Sequence, residues 1–128
     1  VSATHIVDSS GWLEYFTDSK GAAFFAPAIE DTANLLVPVI TIYEVFKKVL
    51  RERGESDALQ IAAMMQSGQV IALDSTLALD AARFSLPLAD SLIYATALRH
   101  RAILWTQDED FKGLPNVKFP PKKTSATR

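Results

Sequence analysis

Short apolar runs, each followed by one or two stretches of helical spacing, recur along this chain and leave few architectures open to it. His5-Ile6-Val7, Leu35-Leu36-Val37-Pro38, Val70 to Leu73, Ile103-Leu104-Trp105 and Val117-Lys118-Phe119 read as strands. Between them Ser9 to Phe16, Gly21 to Glu30, Thr41 to about Arg53, Ser56 to Gln66, Ser75 to Phe84 and Ala89 to Ala102 have helical periodicity. Pro27 either kinks the second of these or marks its start. Thr41 with Glu44 three residues on has the pattern of a capping box, and Gly54 stops that helix. Strands separated by helices imply parallel pairing with helices on both faces of the sheet. The expected fold is therefore α/β, a three-layer α/β/α sandwich around a central, mainly parallel sheet. A chain of 128 residues suits one domain, placed at 1–119, with 120–128 expected to be a flexible basic tail carrying Lys122, Lys123 and Arg128.

In such a sheet, binding sites lie outside the carboxyl ends of the strands, near a switch in strand order. Asp8 follows the first strand and is itself followed by Ser9 and Ser10; Glu44 lies in the first turn of its helix. Asp90 opens the long apolar helix, and "TQDEDF" after Trp105 brings Thr106, Asp108 and Asp110. Each acid alone has a structural reading. Asp8 and Asp90 suit helix N-caps, Glu44 the far half of a capping box, and the last stretch a solvated acidic turn. Together they form a set of carboxylates that repel one another unless a cation joins them. Magnesium and manganese favour such oxygen ligands, and either ion supplies activated water and neutralises charge on a phosphodiester. Ser9 or Ser10 is expected to cap the first helix, leaving Asp8 free for metal.

The stretches "IVDSSGWLEYF", "ITIYEVFKKVL", "LPLADSLIYATALRHRA" and "ILWTQDEDFKGL", in this order and spanning nearly the whole chain, resemble the PIN-domain family. Within it the chain is similar to the VapC-type toxin ribonucleases of toxin–antitoxin pairs. The resemblance implies a magnesium- or manganese-dependent endoribonuclease that hydrolyses RNA with metal-activated water and no covalent nucleophile. It implies Asp8, Glu44, Asp90 and Asp108 as the catalytic acids. Asp8, Asp90 and Asp108 would hold the ion directly or through its waters, with Glu44 on a second ion or the attacking water and Asp110 as a further direct or water-mediated metal group. Ser9 and Thr106 match hydroxyls that order the site. The implied partners are RNA, a VapB-type antitoxin and a second copy of the chain.

Lys47, Lys48 and Arg51 follow Glu44 at helical spacing, as phosphate contacts or as the solvated face of an amphipathic helix. Arg99 and Arg101 close their helix favourably for its dipole, and His5 and His100 read as structural or surface residues. Trp12, Phe16, Phe24 and Phe25 read as core or interface, with Phe24, Phe25 and Ile29 available for a dimer surface. The chain has no cysteine, which excludes disulfides, thiolate nucleophiles and sulfur-ligated zinc and suits a reducing compartment. Its apolar runs break well short of the roughly 20 residues of a membrane span, and no signal-peptide pattern is present, so a soluble cytoplasmic protein without a membrane partner is expected. A net charge of −2 neither favours nor excludes nucleic acid. Two rivals stay open: a PIN-like module that binds RNA or protein without cutting, and a phospho-acceptor receiver domain. The receiver pattern wants paired acids after the first strand and a lysine after the last, whereas Asp8 stands alone and Lys118 lies within a strand-like run.

Overall fold

Three-residue strands dominate the centre of the molecule, so its sheet is short along the strands and helices hold far more of the chain than strands do. The computed structural model describes residues 3–121. The strands are β1 (His5–Val7), β2 (Leu36–Pro38), β3 (Gln69–Ile71), β4 (Ile103–Trp105) and β5 (Val117–Lys118). The helices are α1 (Ser9–Phe16), α2 (Ala22–Glu30), α3 (Val39–Arg53), α4 (Glu55–Met65), α5 (Ser75–Ala81) and α6 (Leu88–Arg99). Single 3-10 turns lie at Thr32–Asn34 and Glu109–Phe111.

All pairings are parallel. β4 lies between β1 and β5, with Ile6 opposite Leu104 and Leu104 opposite Val117. β2 pairs with β3, with Val37 opposite Val70, and one parallel bridge from His5 to Leu35 joins the two halves. The strand order is thus β3-β2-β1-β4-β5. The chain moves outward from β1 through β2 to β3, then crosses back to pair β4 with the other side of β1. The switch in direction falls between β1 and β4, which places a crevice at their carboxyl ends, where Asp8 and Thr106 stand.

Alternation along the strands builds two cores. Val7, Val37 and Trp105 pack with Trp12, Phe25, Val45, Val49 and Met65 from α1 to α4. Their neighbours Ile6, Leu36 and Leu104 face the other way and meet Ile93, Tyr94 and Ala97 of α6, while Leu77 and Ala81 of α5 pack on Leu92 and Ala95. Four helices on one face and two on the other make the expected three layers. The β1 and β4 faces are both buried because strand residues of both parities are apolar, the habit of parallel sheets.

Boundaries shift by one to three residues, and two local expectations fail. α3 begins at Val39 with Pro38 as its N-cap, so the Thr41–Glu44 capping box does not form. Pro38, with φ at −61°, already has the helix-compatible φ that starts the turn early, and this carries Thr41 inside the helix, where its hydroxyl is buried without a partner among the described residues. Pro27 lies within α2 and does not start it. α5 ends at Ala81, short of Phe84, and Arg101, with φ at +53°, stands in the turn that ends α6 early and releases β4. Lys122, Lys123 and Arg128 of the expected tail lie outside the described residues.

Gly11 sits where α1 crosses β1 and α2. A Cβ there would fall 2.6 Å from both Val7 and Phe25, whose side chains are fully buried and have nowhere to retreat. Gly11→Ala should therefore destabilise the domain by about 2 kcal/mol despite alanine's better helix propensity, read as a lower midpoint in urea unfolding. An unchanged or higher midpoint would contradict this close packing.

Candidate active site

β1 ends in Val7 and hands the chain to Asp8, a residue only 3% exposed. The Asp8 carboxylate is the N-cap of α1. Its Oδ1 accepts the Gly11 N–H at 2.9 Å, and the Ser10 hydroxyl donates to both oxygens at 3.1 and 3.2 Å. From the end of β4 the buried Thr106 hydroxyl donates to Asp8 Oδ2 at 2.5 Å. The expected division of labour, with a serine capping the helix and Asp8 left free, is therefore corrected: Asp8 does the capping. Geometry decides this, because the side-chain oxygen of the N-cap residue reaches the N–H three positions on, whereas Ser9 and Ser10 already lie inside the helix. Ser9 turns its hydroxyl to Glu44 Oε1 at 2.5 Å, tying α1 to α3.

Thr106 also accepts the Asp108 N–H at 2.9 Å, and Asp108 Oδ1 in turn accepts the Asp110 N–H at 2.9 Å as N-cap of the 3-10 turn. One chain of bonds thus runs from Asp8 through Thr106 to Asp108 and Asp110. It bends the segment after β4 back over the crevice. Asp90 reaches the same place from the first turn of α6, whose N-cap is Pro87; Asp90 is not the cap that an isolated aspartate there suggests.

Carboxylate oxygens of Asp90, Asp108 and Asp110 lie within 4.8 Å of one another. Asp8 and Glu44 are not in this trio, so the residues nearest to a shared ligand position differ from the expected Asp8, Asp90 and Asp108. Their charges still reach it. Asp90 is pushed up to about 7, first by burial and then by the charges of Asp108, Asp8, Glu44 and Asp110. Burial also raises Asp8, against the lowering pull of its bonds from Thr106, Gly11 and Ser10, and Asp108 adds to the rise. All five acids named from the sequence therefore act on one locus. A trio of oxygen donors with excess negative charge and no nitrogen or sulfur fits a hard divalent cation such as magnesium or manganese. Relief of the repulsion that raises Asp90 is what such an ion would provide.

The cations of α3 fall into separate roles. Lys48 pairs with Glu52 at 3.0 Å, one turn along the same helix. Lys47 meets the Tyr43 hydroxyl at 3.3 Å, and neither it nor Arg51 has an ion-pair partner among the described residues. Sequence reasoning named Ser10 only as a possible helix cap, whereas its hydroxyl donates to Asp8, and it assigned no role to Tyr43, which is 57% exposed. Lys118 lies over the Trp105 ring, 4.1 Å from its centroid, and His5 is a structural residue, accepting the Trp105 indole N–H on Nδ1 at 3.2 Å with Asp31 3.3 Å from Nε2. Trp12, Phe25 and Ile29 are buried in the core. No helix among the described residues is long and apolar enough to cross a membrane.

Fold and site together define an α/β domain with a cluster of carboxylates at the switch point of a parallel sheet. The PIN domain family profile matches residues 5–117, and the chain belongs to the PIN-domain family. Among solved structures it is similar to a toxin–antitoxin complex from Klebsiella pneumoniae, at 22% identity and a TM-score of 0.75, covering 90% of this chain and 96% of that one. VapC20 of Mycobacterium tuberculosis, described as a toxin that cleaves the sarcin–ricin loop, matches at 15% identity and a TM-score of 0.73 over 88% and 95% of the two chains. A DNA-bound VapBC from Salmonella typhimurium matches at 12% identity and a TM-score of 0.72 over 93% and 98%. At these identities the likeness is one of fold. No curated protein matches the chain.

The raised Asp90 fixes the sign of a pH effect in metal-free protein. The folded state holds a proton that the unfolded chain, near 3.8, releases, so stability falls as pH rises from about 4 to about 7 and stays low above. Asp90→Asn should remove this group's share of the slope, leaving that of the raised Asp8, and stabilise the protein at pH 8 by about 1–2 kcal/mol, a figure already reduced for the group's partial exposure. Melting temperature against pH in a chelator checks it. A stability gain equal at pH 4.5 and pH 8 would contradict the assignment.

Proposed function

We propose that this chain is a divalent-metal-dependent endoribonuclease and the VapC-type toxin of a toxin–antitoxin pair. The observation that carries this is the approach of Asp90, Asp108 and Asp110 to within 4.8 Å at the switch point of a PIN fold, with Asp8 and Glu44 adding charge. Asp90, Asp108 and Asp110 would hold the ion, with Asp8 adding its negative charge to the same locus. Bound magnesium or manganese supplies activated water and neutralises charge as the phosphodiester is hydrolysed. The protein groups supply position. Thr106 fixes Asp108 relative to Asp8, and Ser9 fixes Glu44 through one oxygen, leaving Oε2 without a partner among the described residues to orient a water for in-line attack.

Support for the toxin role comes from the solved neighbours, which include toxin–antitoxin complexes of Klebsiella and Salmonella and a ribosomal-loop-cleaving toxin of Mycobacterium. The partners we propose are RNA as substrate, a VapB-type antitoxin and a second copy of the chain, acting in the cytoplasm. Of the three basic residues that follow Glu44 on α3, Lys47 and Arg51 have no ion-pair partner among the described residues and are available to phosphate, while Lys48 is engaged by Glu52.

Purified protein with magnesium or manganese should cut single-stranded RNA and lose that activity in a chelator. Asp90→Asn and Asp108→Asn should each lower the rate by about 100-fold or more while the fold, followed by circular dichroism, persists. Cleavage that survives either substitution, or that neither metal supports in the parent protein, would overturn the proposal.

A further inference from the structure

An exposed tyrosine by itself needs no explanation, but Tyr43 carries three features that together do. It directly precedes Glu44, with the two Cα atoms about 3.8 Å apart. Side chains on a helix lean toward its N-terminus, and the N-terminal end of α3 is the end that leaves β2 at the carboxyl edge of the sheet. Tyr43 thus shares with Glu44 the N-terminal half of α3, about 100° around the helix from it. Second, Lys47 stands one turn on, with Nζ 5.5 Å from the ring centroid and 3.3 Å from the phenol oxygen, and among the described residues it has no acidic partner. Third, Arg51 stands a further turn along α3 and is also without an ion pair among the described residues. An aromatic face and two basic residues therefore follow one another along one helix, with Glu52 beside the second.

We propose that Tyr43 and Lys47 form a nucleotide subsite for single-stranded RNA. The base of a residue flanking the cut stacks on Tyr43, and its phosphate meets Lys47, with Arg51 taking the next phosphate along the strand. This subsite rests on the nuclease assignment for its position and deepens it. Single-stranded substrate is required because only an unpaired base exposes its face for stacking. The charge pattern also has a clear use: the acidic crevice repels phosphate wherever no cation is bound, so basic groups just outside it are needed to hold the chain across it.

A fluorescent single-stranded oligoribonucleotide, and versions with one abasic position moved along it, test the subsite by anisotropy in chelator and by cleavage in magnesium. Tyr43→Ala should weaken binding about tenfold or more and raise KM with little change in kcat, and Tyr43→Phe should recover most of the loss. Lys47→Ala should reduce the slope of log affinity against log salt by about 0.7, the loss of one phosphate contact on a single strand. The decisive result is an abasic position that weakens the parent protein as much as Tyr43→Ala does and adds nothing to that variant. Abasic effects identical in the parent and Tyr43→Ala would overturn the subsite. So would a Tyr43→Ala variant that changes self-association in sedimentation but binds RNA unaltered, which would assign the residue to a protein interface. Cleavage by the parent without these effects would leave the nuclease assignment standing and remove the subsite alone. The full binding pattern without cleavage in either metal would do the reverse.

Discussion

The bond from the Thr106 hydroxyl to the buried carboxylate of Asp8 ties together the ends of the two strands between which the sheet changes direction. Almost everything in the site hangs from it. Asp8 caps α1 through Gly11 and holds Ser10, so the entry angle of the first helix depends on the same carboxylate. Thr106 accepts from the Asp108 backbone, and Asp108 accepts from Asp110, so two of the three clustered acids are positioned by that hydroxyl. Ordinary hydrogen bonds contribute about 1 kcal/mol each, but a buried group left unpaired costs about 1–3 kcal/mol or more when charged. The network is therefore held less by what it gains than by what losing one member would cost.

The second constraint is repulsion. A fold whose parallel strands deliver Asp8, Glu44, Asp90, Asp108 and Asp110 to one edge accumulates charge that burial makes worse, and Asp90 registers the sum. Such an arrangement lowers the stability of the metal-free domain in return for a site able to take a hard cation. The two cores on either side of the sheet supply the rigidity against which that strain is held. Gly11, pressed against Val7 and Phe25, shows how little slack remains directly beneath the site.

Much of this was legible in the sequence. Apolar runs two-sided along the strands, with helices between them, gave the three layers and the parallel pairing because burial on both faces leaves no other periodicity. The five acids were also legible, since each follows a strand or opens a helix at the same end of the sheet. What the sequence did not disclose was how each carboxylate is spent. Whether Asp8 or a serine caps α1 turns on a one-residue choice of helix start, and Thr41 lost its capping role by the same kind of shift when α3 began at Val39. Promotion of Asp110 to the trio depends on the tight turn that Asp108 caps, a tertiary arrangement fixed through Thr106. Tyr43 was hidden for a different reason: aromatic residues are buried often enough that an exposed one does not stand out until the helix face is known.

The central claim is that these carboxylates form a single cation site centred on Asp90, Asp108 and Asp110. Anomalous diffraction from crystals grown with manganese tests it most directly. The account predicts a peak among those three carboxylates, within ligand distance, at about 2.0–2.6 Å, of oxygens from at least two of them. Absence of a peak there at saturating manganese, or a peak elsewhere with the trio left vacant, would contradict it.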